Sequence, residues 1–420
     1  MNPARLVKQG FALGFVFCLA FLAVAATACR VEYYPTPEPV FQETVTGQLQ
    51  DILDAWRSRN GVTGVALAVD GPRIGAIQLA SGIANKETGS GMTSQDRFAV
   101  AGLTKTFTAA LVLQLVDEGL LSLDDRLDRW YPRFRDSRDI TVRQLLNHTS
   151  GVAEYLGPVF YSAVKPRLPA NRLYTSQELI DFASTEPSTG RPAQGWSYSN
   201  TNYVMLGQII EDVTGNSLEQ EFRNRFFQPF HLPNTFLMGV EAVPSVVQGH
   251  TSRFAPVFID ADSQTAADFE LDQATTTMLA SAQWAAGGLA SSASDMTTWA
   301  KALFGGQVLS QSMLDEMVEP SPLAADLAGD AGVDIGAGLG VFLYTTSIGP
   351  AMGHGGMQPG FSSLMLYVPS RDIAITVLTN DDRVEATKLQ IVDPQGQGIQ
   401  GLNPLANQVL SAILEQIQGS

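Results

Sequence analysis

Cysteine is almost absent: the 420 residues contain two, Cys18 and Cys29, both in the first stretch of the chain. Everything after Cys29 therefore has no disulfide framework and no thiolate metal site, and must stand on its core alone. Histidine is nearly as scarce, with four residues and no pair at metal-ligand spacing. No Gly-rich loop leads into a helix with Lys-Ser or Lys-Thr, and Gly287-Gly288 reads as a bend rather than a phosphate cradle. Neither a metal nor a nucleotide cofactor is implied. Basic residues are the minority, 26 against 42 acidic, for a net charge of −16. That balance excludes nucleic acid and a polybasic membrane surface as partners, but it does not choose a substrate. No internal repeat is found.

What the chain does contain begins with an export pattern. Arg5 and Lys8 precede an apolar run from Phe11 to Val24, and Ala26-Thr27-Ala28 supplies small residues for cleavage. Residues 1–28 read as a signal peptide whose removal leaves the remainder two charges more negative. Cys29 follows at once, as in a bacterial lipoprotein box, although Ala26 stands where such boxes prefer Leu. The expectation is export to the cell envelope with a lipid anchor on Cys29. Simple secretion or an uncleaved membrane helix are the alternatives, since the run nears the roughly 18 residues needed to span. Residues 29–44, with Pro35, Pro37 and Pro39, read as a semi-rigid tether.

From 45 to 420 the pattern is that of a single large domain, 45% of the chain being hydrophobic. Leu49, Ile52, Leu53 and Trp56 share a helix face. Runs from Gly64 to Val69 and from Gly75 to Gly82, joined through Asp70-Gly71-Pro72, predict an antiparallel hairpin. Further strands are expected at Gly338 to Tyr344, Phe361 to Val368 and Ile373 to Thr379, with Gly349-Pro350 and Pro369-Ser370 as turns. Gln390 to Gly401 reads as a surface loop, and Asn403 to Ile417 as an amphipathic helix. Strands at both ends with helices between them define an α+β order.

The centre of the chain is the stretch from Arg97 to Gly119. From Phe107 to Val116 it is apolar nearly all round, as a helix buried in the middle of a domain must be, and Gly119 is a natural stop. Gly102 and Lys105 stand three apart, on one face of its first turn. Downstream, Tyr198-Ser199-Asn200 opens another helix, stopped by Gly215-Asn216. Gly353-His354-Gly355-Gly356-Met357 leads into Gly360-Phe361-Ser362-Ser363. Taken singly these are ordinary: Lys105 reads as a lysine reaching out from a helix start, Tyr198 and Asn200 as capping residues, His354 as a turn histidine. His148, His231 and His250 read as structural or surface residues.

Taken together, in this order, the segments resemble the serine β-lactamase and penicillin-binding-protein superfamily, in its class C β-lactamase-like branch, which also holds D-Ala-D-Ala carboxypeptidases and esterases. Asn147-His148-Thr149-Ser150-Gly151 shares the likeness, and the resemblance covers Gly64 to Asn380. It implies an antiparallel sheet built from both chain ends and flanked by helices, plus a helical subdomain at about 103–285. The cleft would lie between them. It also implies site roles. Lys105 and Tyr198 would handle protons, Asn200, His354 and Gly356 would bind substrate, and the backbone N–H groups of Gly102 and Met357 would form an oxyanion hole. A phenol beside an ammonium would be pushed toward phenolate and so toward acting as base.

The family pattern is Ser-x-x-Lys, and here Gly102 stands where the serine should be. No other hydroxyl replaces it. Thr104 is about 200° round the helix, Thr106 is roughly 6 Å further along the axis, and Ser199 is expected on the opposite wall. Three readings follow. The chain is a serine-hydrolase relative that binds an acyl substrate, small molecule or peptide, with little or no turnover. It is an active hydrolase whose serine was changed by engineering or sequence error. Or it is a non-catalytic envelope interaction protein. Monomeric behaviour is expected, with membrane contact only through the N-terminal anchor.

Overall fold

The computed structural model describes residues 39–157, 160, 172–252, 254, 269–324, 336–384, 391–392, 398–399 and 402–419. The signal peptide, Cys29 and the first part of the tether lie outside the described residues. No helix among those described is long and apolar enough to cross a membrane. Helix α1 (Pro39–Asn60) starts inside the stretch assigned to the tether. Proline suits a first helical turn, where its missing N–H would have had no partner. Val45, Leu49, Leu53 and Trp56 make its buried face.

Strands β1 (Gly64–Gly71) and β2 (Gly75–Asn85) form the expected hairpin, closing at Gly71 opposite Gly75. The short strands β3 (Ser90–Gly91) and β4 (Phe98–Ala99) lead to the central helix α2 (Thr104–Asp117). The helical part continues through α3 (Val142–Leu146), α4 (Ser176–Thr185), α5 (Asn200–Thr214) and α6 (Leu218–Phe222). Three short strands, β5 (Phe236–Leu237), β6 (Gly249–Thr251) and β7 (Phe269–Leu271), precede α7 (Gln273–Ser281). Strand β8 (Leu289–Ser291) is followed by α8 (Ala293–Phe304) and α9 (Gln311–Val318). The chain then returns to strands: β9 (Gly336–Ala337), β10 (Phe342–Thr346), β11 (Gly349–Gln358), β12 (Phe361–Val368) and β13 (Ile373–Thr379). Helix α10 (Leu402–Gly419) ends it.

The main sheet has the order β3-β2-β1-β13-β12-β11-β10-β9, all neighbours antiparallel, so the two chain ends meet at β1 and β13 with Val65 opposite Thr379. Helices cover both faces, which explains the near-continuous apolar runs of β12 and β13. On one face Val65, Leu67, Leu364 and Val377 pack with α1 and with Leu405, Val409 and Ile413 of α10. On the other, Ala66, Ala68 and Met365 join the larger core around α2 and α8.

Three features depart from the sequence reading. The run from Gly338 to Tyr344 is broken by a turn, with Gly340 at φ 74°, so β9 and β10 are separate. Gly349-Pro350, expected as a turn, opens β11 opposite Thr346 and Thr345. The stretch read as a loop after Gln390 contains a two-residue strand pair, Ile391 opposite Ile399.

Helix α2 is buried because the core needs it. Phe107 stacks on Trp299 of α8 with centroids 3.9 Å apart and planes within 10°. The Trp299 indole N–H donates to Thr106 Oγ1 at 2.9 Å, so its polar edge is also satisfied. Phe107→Ala is expected to destabilise the fold by about 3–5 kcal/mol, read as a lowered urea midpoint.

Candidate active site

The site is built at the start of α2. A single 3-10 turn, Ala101–Leu103, leads into the helix, and Ala101 is held at φ 47°. A side chain other than glycine in that region carries strain, and strain of this kind collects at working sites. Gly102 sits on this turn, buried.

One turn on, Lys105 is wholly buried. Its Nζ donates to Asn200 Oδ1 at 2.6 Å and to the Ala286 carbonyl at 2.8 Å. It lies 4.8 Å from the centroid of the Tyr198 ring and 5.3 Å from that of Tyr203. Lys105 therefore does not reach to solvent, as a lone surface lysine would. Burial pushes its pKa from 10.5 down to about 7, and the Glu154 carboxylate pulls the other way.

Asn200 opens α5, and its own orientation is fixed from behind. Its backbone N–H and its Nδ2 both donate to Glu154 Oε2, at 2.7 and 2.8 Å. With Nδ2 committed there, Oδ1 turns to the lysine. Glu154 is a site residue that the sequence reading missed. Nothing in its sequence setting marks it, because its role exists only once α5 packs on the 150–154 segment. The same holds for the Ala286 carbonyl, although the Gly-rich entry around it pointed to a bend near a cleft.

Tyr198 departs from expectation in its proton chemistry. Burial, then Glu154 and Tyr344, raise the pKa of its phenol. Lys105 meets the face of the ring, and its hydrogen bonds go to Asn200 and Ala286, so no ammonium drives the hydroxyl toward phenolate. Of the two groups it is the lysine that changes protonation near neutral pH. His148 is structural, as read: it sits at φ 61°, its Nδ1 accepts from the Ser199 N–H at 3.1 Å, and its ring lies 4.5 Å from that of Tyr198.

The other hydroxyls are committed elsewhere. Thr104 Oγ1 accepts from the Leu289 N–H at 3.2 Å, and Thr106 Oγ1 donates to the Leu103 carbonyl at 2.8 Å. Ser199 Oγ is buried and donates to the Ala153 carbonyl at 3.1 Å.

The opposite wall is β11. His354 is buried against the turn, and its Nδ1 contacts the Gly355 carbonyl. Burial first, then Lys105, lower its pKa to about 3, so the imidazole is neutral. The strand comes very close to Gly102. A Cβ built there would lie 2.7 Å from the Gly355 carbonyl oxygen and 3.0 Å from His354 Cε1. A Cβ on Gly356 would lie 2.4 Å from Ser363 Oγ and 2.8 Å from the Gly102 nitrogen, so only glycine fits there. Met357 follows on the same strand, opposite Ser362. The structure thus brings Gly102, Lys105, Tyr198, Asn200 and His354 together from three distant segments.

An antiparallel sheet made from both chain ends, a helical part, and a buried lysine at the junction define a protein of the β-lactamase and transpeptidase-like class. The family described as Beta-lactamase matches residues 41–391, and the chain belongs to it. It is 30% identical over 349 residues to Penicillin-binding protein 4 of Amycolatopsis lactamdurans, covering 79% of this chain and 84% of that one. It is also 30% identical over 237 residues to Esterase EstB of Burkholderia gladioli, covering 53% and 59%. Among solved structures, the D-amino acid amidase of Ochrobactrum anthropi SV3 complexed with D-phenylalanine superposes with a TM-score of 0.74. That match is 29% identical and covers 89% of this chain and 99% of that one.

The Lys105 ammonium is expected to titrate with a midpoint near 7, seen by NMR of isotopically labelled lysine. Glu154→Gln removes the charge that holds the proton on, so it should move that midpoint lower. Between about pH 7 and about pH 10 the unfolded chain holds one proton more at this position than the folded chain. This group's contribution to stability therefore grows as pH rises through that window and is lost as pH falls. Lys105→Met should flatten the slope of unfolding free energy against pH there.

Proposed function

We propose that this chain is a β-lactamase-related serine-hydrolase relative whose cleft binds an acyl compound non-covalently, with little or no turnover. The observation that carries this is the fit around Gly102. The position that the family resemblance gives to the nucleophile has no hydroxyl, and a Cβ there would lie 2.7 Å from the Gly355 carbonyl oxygen, too close without a shift. Serine here would require the Gly355 carbonyl or the His354 ring to shift, whereas glycine requires neither. This favours glycine as the residue the fold is built around.

In this reading Lys105, neutral or charged near pH 7, and Tyr198 keep the proton-handling positions. Asn200, His354 and Gly356 line the substrate wall, and the N–H groups of Gly102 and Met357 are assigned to the carbonyl oxygen of the bound group. The names of the relatives span penicillin binding, ester cleavage and D-amino acid amides, which supports taking the occupant from among small or peptide amides, esters and lactams. Without a nucleophile, covalent acylation has no route. Catalytic triads stripped of one member keep about 10³–10⁴-fold over solution, and water attack here is assigned that ceiling. We also place the protein in the cell envelope as a monomer, held by a lipid on Cys29. A shift to the detergent phase that Cys29→Ala abolishes would support this; an unchanged partition would not.

The test is covalent labelling. The purified chain is treated with a fluorescent penicillin and with a fluorophosphonate, then weighed intact. No added mass is expected on the chain as it stands, and an adduct on it would overturn the reading. Gly102→Ser should be less stable by about 1–3 kcal/mol, the range for forcing atoms into a packed site, and should gain label once β11 gives way. A Gly102→Ser chain as stable as the original would show that the strand does not close over this position.

A further inference from the structure

A second cavity lies away from the Lys105 cluster, with a volume of about 210 Å³, between the 133–140 turn, the 150–153 segment and the end of α4. Its floor is apolar, from Phe134, Ile140, Val152 and Ala183. Its rim is charged, with Arg133, Arg135, Asp136 and Glu186. Both arginines are exposed, and neither has a hydrogen-bond or ion-pair partner among the described residues. That differs from their neighbours: Arg129, Arg138 and Arg143 each face a carboxylate. Arg133 and Arg135 thus stand unpaired beside an apolar hollow in a chain with a net charge of −16.

The lining limits what fits. An inorganic anion would gain from the arginines but leave the apolar floor facing water. A purely apolar molecule would leave the four charges unused. A ligand with one carboxylate, one ammonium and a compact apolar side chain satisfies both parts. The volume equals that of about seven waters at about 30 Å³ each, the size of one amino acid.

We propose that this cavity is a second binding site, for a free amino acid with an apolar side chain, its carboxylate toward Arg133 and Arg135 and its ammonium toward Asp136 and Glu186. The site is separate from the cleft yet shares a wall with it. Ser150 Oγ donates to Asn202 Oδ1 at 2.8 Å, and the Ala153 carbonyl accepts from Thr201 Oγ1 at 2.6 Å. The next residue, Glu154, holds Asn200. The segment that backs the cavity thus also carries the support of Lys105.

Titration calorimetry on the full chain tests the proposal, with phenylalanine and leucine as ligands and 3-phenylpropanoate and phenethylamine as single-charge probes. One of the two amino acids should bind in the millimolar range or tighter, and both single-charge probes more weakly. Arg133→Ala/Arg135→Ala changes only exposed side chains, so the fold should survive. It should weaken binding by about tenfold or more, the loss expected for charge-assisted hydrogen bonds. Asp136→Asn/Glu186→Gln should do likewise for the amino acid but not for 3-phenylpropanoate. Absence of binding by both amino acids, or binding unchanged in the double-arginine variant, overturns the proposal. Phenylalanine that binds only in the cleft would give the latter result.

Discussion

Everything at the candidate site depends on keeping one amine out of water. A buried ammonium costs several kcal/mol unless its hydrogens find acceptors. The Lys105 Nζ has two at short range, Asn200 Oδ1 and the Ala286 carbonyl, each from a different part of the chain. The first is only an acceptor because Glu154 holds the other end of the amide. The second is presented by the turn at Trp284–Ala286 that precedes β8. Move α5, that turn or the 150–154 segment, and the lysine loses a partner it cannot replace from solvent. The burial of α2 is thus a chemical requirement as well as a packing one.

The close approach at Gly102 is the counterpart on the sheet side. Three of the four glycines in β11, at 353, 355 and 356, give a strand that can lie against the helix start with almost nothing between them. Gly356 cannot carry a Cβ because Ser363, Val100 and Gly102 already occupy the space, and Ser363 Oγ donates to the Val100 carbonyl at 2.8 Å. With a side chain on residue 102, strand and helix would be held apart by at least that atom. Without one, the Gly355 carbonyl lies only 2.7 Å from the position a Cβ would take. The identity of residue 102 therefore bears on how closely the strand lies against the helix start.

Much of this was legible in the sequence. The hairpin at Gly71, the helix stop at Gly215, and the buried run of α2 follow from local rules that tertiary structure did not override. Lys105, Tyr198, Asn200 and His354 were found because the family likeness fixes their order along the chain, and the structure brings them together. What could not be read is what depends on packing between segments. Glu154 is one acid among 42 until α5 lies beside it. The turn before β10 and the strand at Gly349 lie in Gly-rich sequence, where propensity says little. The phenol was misjudged for the same reason: its chemistry depends on whether the ring's edge or its face meets the amine, and no spacing rule gives that.

The proton order at the site then follows from geometry. Burial acts on both groups but in opposite directions, because the lysine is charged when protonated and the tyrosine when deprotonated. In a shared dry pocket the stable pair is a neutral amine and a neutral phenol, and Glu154 strengthens that preference on the tyrosine side while opposing it on the lysine side. An amine with a pKa of about 7 can take a proton from a bound ligand or water, whereas Tyr198 can only donate one at ordinary pH. Near neutral pH the lysine is thus the group that exchanges its proton and the phenol the group that keeps its own.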